Sequence, residues 1–237
     1  PHTQAVNGPL KTCKDQYSTA RFIQRSSATN GTGMNDVNPL LIIGAIIVSY
    51  FLGTFPSALI VAKRGGVDVT AAGSGNPGTS NVVRLLGWKY GLVVFVADVL
   101  KGSASVAIAW FVMNTQPDPL RVSYLAYACG YAAVIGHTFP VTRKFVGGKG
   151  VATGGGVMYV LYPVMSLILC SSWFVLRKTT GKSSVASLVI TIAVPVYVAI
   201  WRNDNMWELA AALGLVGMII IRHLPNIRRL KSHEENA

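Results

Sequence analysis

Charged side chains are scarce in this chain of 237 residues, and acidic ones are the scarcest. Asp, Glu, Lys and Arg together make up 13% of the sequence, about half the usual share in a globular protein. Only 9 residues are acidic, against 21 Lys and Arg, while hydrophobic residues reach 51%. This balance excludes an ordinary soluble domain.

Cysteine is also rare, and its spacing excludes a cysteine-based metal centre. Cys13, Cys129 and Cys170 lie far apart, and no His, Asp or Cys cluster has the spacing of metal ligands. Cys129 and Cys170 fall within uncharged stretches, where a free thiol behaves as a small hydrophobe. We therefore predict neither a metal nor a cofactor.

Long uncharged stretches carry the hydrophobic excess. They cover residues 40–62, 122–142, 151–176 and 183–201, with shorter ones at 92–97 and 102–115. The longer stretches are near or above the roughly 20 residues that a membrane-spanning helix needs. A soluble core explains one such stretch but not several. The sequence therefore predicts an all-α, polytopic membrane helix bundle.

The basic residues lie in clusters between these stretches, at residues 63–89, 143–149, 177–182 and 222–231. Cytoplasmic loops of membrane proteins carry such an excess, which accounts for the net charge of +12 without nucleic acid as a partner. If all four clusters are cytoplasmic, residues 151–176 must cross twice, turning near Tyr162 and Pro163. We predict about seven transmembrane helices, two of them short, with the N-terminus outside and the C-terminus in the cytoplasm.

Residues 1–33 differ from the rest of the chain. They are polar and rich in Ser, Thr and Asn, and they lack the apolar core of a signal peptide. Met34 then opens a stretch that runs into the first apolar segment. We predict that residues 1–33 are a disordered or non-native extension and that residues 34–237 form one membrane domain. A genuine disordered tail is the alternative.

The first of three polar segments covers residues 73–84. Its glycines let backbone N–H groups converge on an anion, and Arg84 can bind a phosphate with two hydrogen bonds. A plain turn is the simplest alternative. The candidate site residues here are Gly73, Ser74, Gly75, Asn76, Gly78, Asn81 and Arg84.

The second segment, residues 136–153, places a glycine-rich turn with a lysine before a predicted helix, whose N-terminus favours an anion. Gly-Gly-Lys-Gly resembles half of a nucleotide-binding P-loop. No Ser or Thr follows Lys149 and no strand precedes it, so nucleotide binding is disfavoured. The candidates here are His137, Gly147, Gly148, Lys149, Gly150 and Thr153.

The third segment, residues 222–230, follows the last apolar stretch. His223 and Asn226 are three residues apart and share a helix face, although a basic anchor is the simplest interpretation. Within the apolar part of the chain, Asp98 and Lys101 also share a face. An internal ion pair is favoured there over direct contact of Lys101 with substrate. The predicted topology brings all three polar segments to one side of the membrane.

At these motifs the sequence resembles the PlsY family, the bacterial acyl-phosphate:glycerol-3-phosphate acyltransferases, from about residue 38 to 235. The family pattern Gly-Ser-Gly-Asn-x-Gly-Ala-Thr-Asn followed by Arg is met at residues 73–84, except that Thr79-Ser80 replaces Ala-Thr. Residues 98–102 and 136–153 also match. Arg-His-x-x-Asn-Ile-x-Arg-Leu is complete at residues 222–230, with Leu224-Pro225 in place of a usually polar pair. Beyond it, His233 replaces a common glycine and Glu235 matches a frequent glutamate.

The resemblance implies transfer of a fatty acyl group from long-chain acyl phosphate to the 1-hydroxyl of glycerol 3-phosphate, giving lysophosphatidic acid and phosphate. It implies catalytic roles for Ser74, Arg84, Lys149, His223 and Asn226, and substrate binding by the other candidates, Lys101 included. The expected place is the bacterial cytoplasmic (inner) membrane, with the site at the cytoplasmic face. A monomer is expected, supplied with acyl phosphate by a separate enzyme.

Other interpretations stay open at this point. Ser74 as a nucleophile with His223 as its base is one, but an acyl phosphate is already activated, which favours direct attack. A transporter of a phosphorylated solute would be expected to show internal repeats, and the three motifs are not copies of one another. An acyl-CoA-dependent acyltransferase would be expected to carry His-x-x-x-x-Asp, and none of the four histidines has Asp five residues later.

Overall fold

The computed structural model describes residues 38–113, 124–202 and 206–232, and the described residues from Pro39 onwards belong to one compact unit. Within the described residues the regular structure is entirely helical. The α-helices are α1 (Pro39–Gly53), α2 (Ser57–Arg64), α3 (Thr79–Leu86), α4 (Trp88–Val112), α5 (Tyr124–Thr138), α6 (Val151–Leu161), α7 (Pro163–Thr180), α8 (Ser183–Trp201) and α9 (Met206–Lys231), with one 3-10 turn at Val141–Arg143.

The bundle exposes apolar side chains and buries polar ones. Leu40 and Phe111 are 74% and 87% exposed, whereas Asp98 and Glu208 are almost fully buried. Such apolar surface suits lipid rather than water. Among the described residues, four helical stretches are long and apolar enough to cross a membrane: Pro39–Arg64, Trp88–Val112, Ser183–Trp201 and Met206–Lys231. The predicted all-α bundle is confirmed; the number of spans and the orientation of the termini stay predictions.

Helix α4 is central and packs against α1, α2, α3, α5 and α6. Its contact with α6 is close, because Gly156 lies against the backbone of Val99, and Gly102 lies against the backbone carbonyl of Thr153. Small residues allow helix backbones to approach each other in this way in membranes. The Ser103 hydroxyl also donates to the Gly156 carbonyl oxygen at 2.9 Å. These contacts fix α6 relative to α4.

The chain turns between α6 and α7 at Tyr162, as the sequence predicted. Pro163 is the first residue of α7, a position where a helix needs no N–H. The Tyr162 hydroxyl donates to Glu208 Oε2 at 2.7 Å and lies 2.9 Å from the Tyr127 hydroxyl. Arg202 donates to both carboxylate oxygens of Glu208, at 3.0 and 3.1 Å. These four side chains, the far-end network, join the ends of α5, α6, α8 and α9.

Several predictions from the sequence concern residues outside the described ranges. They include the extension 1–33 and the positions of His233 and Glu235. They also include most of 114–121 and 202–205, the two connections that the predicted topology places on the side opposite the basic clusters. Pro225, by contrast, is described: it lies inside α9, which continues through it to Lys231. The departure at Leu224-Pro225 therefore does not end the helix that carries the third polar segment.

Candidate functional site

A cavity of about 640 Å³ lies between α3, α4, α6, α7, α8 and α9. Its volume is typical of a small-molecule site, and it brings parts of all three polar segments together. Eleven of the predicted site residues line it: Gly73, Ser74, Asn76, Gly78, Asn81, Arg84, His137, Lys149, Gly150, His223 and Asn226. The remaining five, Gly75, Lys101, Gly147, Gly148 and Thr153, are outside its lining. For all sixteen, direct contact with substrate stays a prediction.

Asn81, at the start of α3, shapes the first loop from inside. Its Oδ1 accepts the Ser74 N–H at 2.9 Å, and its Nδ2 donates to the carbonyl oxygens of Val69 and Ala72 at 3.0 and 3.1 Å. Gly73 has φ of 61° and lies against Asn81 Oδ1, so a side chain is excluded there. Both ends of the Asn81 amide therefore hold the backbone that presents Ser74.

Two charged groups in the loops near the site have shifted pKa values. The Thr70 hydroxyl and N–H donate to Asp68 Oδ1 at 2.6 and 2.9 Å, and these hydrogen bonds lower the pKa of the Asp68 carboxyl. Burial lowers the pKa of the Arg143 guanidinium, and the Asp98 carboxylate offsets part of that effect. The lowered pKa keeps the Asp68 carboxyl ionised at neutral pH.

The second loop is held from two sides. The His137 carbonyl accepts the Gly148 N–H at 3.1 Å, and the His137 ring occupies the space that a side chain at position 148 would need. From α9, Arg222 donates to the carbonyl oxygens of Gly147 at 2.9 Å and Gly148 at 3.3 Å. Its guanidinium also lies 5.2 Å from the centre of the Phe139 ring. Gly147 and Gly148 thus hold the loop in place rather than line the cavity.

Helix α6 begins directly after this loop. Gly150, with φ of 86°, adopts a left-handed conformation that glycine accepts easily. Lys149 therefore reaches the cavity beside the first turn of a helix, where backbone N–H groups favour an anion. A lysine beside a helix N-terminus suits an anion, and phosphate binding at this place stays a prediction.

A buried ion pair lies behind the second loop. Asp98 Oδ1 accepts hydrogen bonds from Lys101 Nζ at 2.9 Å and Ser57 Oγ at 2.5 Å, and His137 Nδ1 lies 3.8 Å away. Lys101 Nζ also donates to the Phe55 carbonyl at 3.3 Å. The ion pair predicted from the spacing of Asp98 and Lys101 is confirmed. We refer to Asp98, Lys101, Ser57 and His137 as the Asp98 network.

The third segment lies on α9. His223 and Asn226 are 1% and 5% exposed, and both line the cavity, so they share one face as predicted. His223 Nδ1 lies 2.8 Å from the Ile219 carbonyl oxygen. Because a carbonyl can only accept, Nδ1 carries the proton, and in the neutral ring Nε2 is the acceptor. The His223 ring can therefore accept or transfer a proton through Nε2.

Sequence reasoning missed several residues that line the cavity. On α8 they are Ser183, Ser184, Ser187 and Thr191. The last three are small and polar and share one helix face, a signal that the sequence did contain. The apolar lining was missed because it depends on how α6 to α9 pack together. Among the described residues, no three His, Cys, Asp or Glu side chains are grouped to hold a metal ion.

Comparison with known proteins gives one consistent result. Residues 43–233 match the family described as "Glycerol-3-phosphate acyltransferase". A protein of that name from Bacillus cytotoxicus is 39% identical over 191 residues, covering 80% of this chain and 91% of the relative. One from Shewanella halifaxensis is 38% identical over 198 residues, covering 83% and 94%.

Solved structures agree. The crystal structure of PlsY (YgiH), an integral membrane glycerol 3-phosphate acyltransferase, in its glycerol 3-phosphate form has a TM-score of 0.74 and 35% identity to this chain. The alignment covers 82% of this chain and 94% of that one. The lysophosphatidic acid form of the same protein gives a TM-score of 0.72.

Proposed function

The chain belongs to the glycerol-3-phosphate acyltransferase family, in its PlsY branch, and from that membership we propose that its acyl donor is a long-chain acyl phosphate. The protein is an integral membrane enzyme that acylates glycerol 3-phosphate. The finer assignment covers the donor, the residues that act and the side of the membrane on which they act.

The donor assignment rests on one observation. One cavity is lined by anion-binding groups from three segments at one end, the polar end, and by apolar side chains of α6 to α9 at the other, the apolar limb. Arg84 and Lys149 come from separate segments, and both line the polar end. Acyl phosphate and glycerol 3-phosphate each carry a phosphate, so a site for both needs more than one cationic group. The apolar limb suits the acyl chain. This combination supports acyl phosphate, whose anionic group is small enough to share the polar end with glycerol 3-phosphate.

The proposed reaction needs no covalent enzyme intermediate. The 1-hydroxyl oxygen of glycerol 3-phosphate attacks the acyl carbonyl carbon, and the bond from that carbon to the phosphate oxygen breaks. The hydroxyl proton passes to the departing phosphate, directly or through His223 Nε2. Arg84 and Lys149 bind the phosphate groups, and Ser74 and Asn226 orient the substrates by hydrogen bonding. The products are lysophosphatidic acid and inorganic phosphate.

We propose further that the enzyme works as a monomer in the bacterial inner membrane, with its site at the cytoplasmic face. Arg84, Lys149 and Arg229 all line the cavity, and cytoplasmic loops are the ones enriched in basic residues. A soluble substrate made in the cytoplasm then reaches the polar end without crossing the membrane. Acyl phosphate would arrive from a separate enzyme.

The test measures phosphate release by the purified protein, given palmitoyl phosphate and glycerol 3-phosphate, with palmitoyl-CoA as a parallel donor. We expect phosphate and lysophosphatidic acid in equal amounts, and only when both substrates are present. Lys149→Gln should lower kcat/KM about a hundredfold, as loss of a charge-stabilising group does. Lys144→Gln, an exposed lysine in the same loop, is the matched control. Activity with palmitoyl-CoA alone would overturn the donor assignment.

A further inference from the structure

The cavity continues from its polar end into an apolar limb between α6, α7, α8 and α9. Met158, Val194 and Leu215 lie in the lining and are 3%, 9% and 4% exposed. Met158 is seven residues beyond Val151, and Leu215 is eight residues before His223, so both lie about 10–12 Å from the polar end at a rise of 1.5 Å per residue. We call these three buried side chains the floor of the limb.

Beyond the floor the bundle is closed. Tyr162 follows Met158 by one helical turn, and Glu208 precedes Leu215 by two. Both belong to the far-end network, and its hydrogen bonds hold the ends of α6 and α9 together. The hydrophobic core also includes Leu161 and Ala212, which are buried at the same depth. The limb is therefore closed beyond the floor, and it opens sideways to the surface at Leu167, which lines the cavity and is 56% exposed.

Helix α6 has an unusual feature along this limb. Gly155 lines the cavity and is exposed to it, and a Cβ built on its backbone meets nothing within 4 Å. Tyr159, one turn later on the same face, also lines the cavity. No packing requirement explains a glycine here, because a side chain would enter open space. This contrasts with Gly156, whose Cα lies against α4.

We propose that Gly155 is a specificity-determining residue for the acyl chain. The acyl chain passes over the bare backbone of α6 at position 155 and packs against Met158, Val194 and Leu215. A side chain at position 155 would block the path of the acyl chain. Smaller side chains in the floor would leave more room for that chain. This inference rests on the proposed function only in requiring a fatty acyl donor, and it holds whichever activating group that donor carries.

The test compares Gly155→Leu with wild type, using palmitoyl phosphate and the short donor butyryl phosphate, each with glycerol 3-phosphate. We expect kcat/KM for palmitoyl phosphate to fall about tenfold, as overfilling a cavity does, while butyryl phosphate turnover is unchanged. The matched control is Gly217→Leu on α9, where a Cβ also meets nothing within 4 Å and the residue is outside the cavity lining. Leu is a better helix former than Gly, so neither change weakens its helix.

Unchanged palmitoyl turnover in folded Gly155→Leu would overturn the inference. If Gly155→Leu loses activity with both donors, the acyl-chain preference of Met158→Ala is measured instead. A smaller side chain at position 158 should shift that preference towards longer donors, and an unchanged preference contradicts the proposal. A wild type that is inactive with acyl phosphates but active with acyl-CoA contradicts only the donor assignment. The same comparison is then made with palmitoyl-CoA and butyryl-CoA.

Discussion

Arg222 is the residue through which the second and third polar segments act together. It lies on α9 directly before His223, and its two hydrogen bonds end on Gly147 and Gly148, directly before Lys149. One guanidinium therefore sets the distance between the candidate phosphate ligand Lys149 and the candidate proton-handling residue His223. The planar guanidinium of Arg222 can donate to two neighbouring carbonyl oxygens at once, whereas the ammonium of a lysine cannot reproduce that geometry.

Arg222→Lys should therefore raise the KM for glycerol 3-phosphate about tenfold and also lower the thermal midpoint of unfolding. A hydrogen bond from a charged group contributes about 1.5–3 kcal/mol, and 1.4 kcal/mol corresponds to a factor of ten. Steady-state kinetics with varied glycerol 3-phosphate provide the measurement. Arg228→Lys, at an exposed position on the same helix, is the control. An equal effect in both variants would contradict the role given to Arg222.

Asp98 balances a buried cation, so its loss should destabilise the fold. Asp98→Asn leaves Lys101 without its carboxylate partner, and removing one member of a buried pair costs about 3–5 kcal/mol. We expect a clearly lower unfolding midpoint in detergent. The double variant Asp98→Asn, Lys101→Met removes both charges and should recover part of the loss. If the double variant is less stable than Asp98→Asn, the pairing is not the source of the effect.

At the scale of elements, the contact of α4 with α6 positions the second polar segment. Gly156→Ala should lower the unfolding midpoint, because its Cβ would collide with the Val99 backbone, which cannot move aside. Gly217→Ala provides the comparison, since it adds the same methyl group in open space. That change should leave stability unchanged or raise it by up to about 1 kcal/mol. Thermal unfolding of both variants measures the difference, and equal midpoints would contradict the packing argument.

The sequence predicted those elements that depend on local chemistry. The turn at Tyr162 and Pro163 followed from a stretch too long for one helix, and the Asp98–Lys101 pair followed from helical spacing. The open path at Gly155 and the far-end network were beyond prediction. They depend on which faces of distant helices meet, and Glu208 carries no sign in the sequence that Tyr162 and Arg202 would surround it. Asn81 is intermediate: its segment was identified, but its bracing role needed the loop conformation.

For the whole molecule, the predicted orientation places the loop containing Lys144 in the cytoplasm and the connection 114–121 outside. Single cysteines at Lys144 and Gln116, in a background without native cysteines, test this in intact cells. A membrane-impermeant maleimide should label the Gln116→Cys protein at once and the Lys144→Cys protein only after the cells are opened. Labelling of Lys144→Cys from outside would reverse the orientation and would place the site away from cytoplasmic glycerol 3-phosphate.

The shortness of α6 has a consequence for the surrounding lipid. Its 11 residues span about 16 Å, roughly half of the 30 Å hydrocarbon thickness of a bilayer. One end of α6 must therefore lie below a membrane surface unless the leaflet thins to meet it. Where the recessed end is the one beside Lys149, the distance between the acyl-chain layer and Lys149 becomes smaller. A donor held by its tail in the leaflet can then present its phosphate by a short vertical displacement, without leaving the membrane for water.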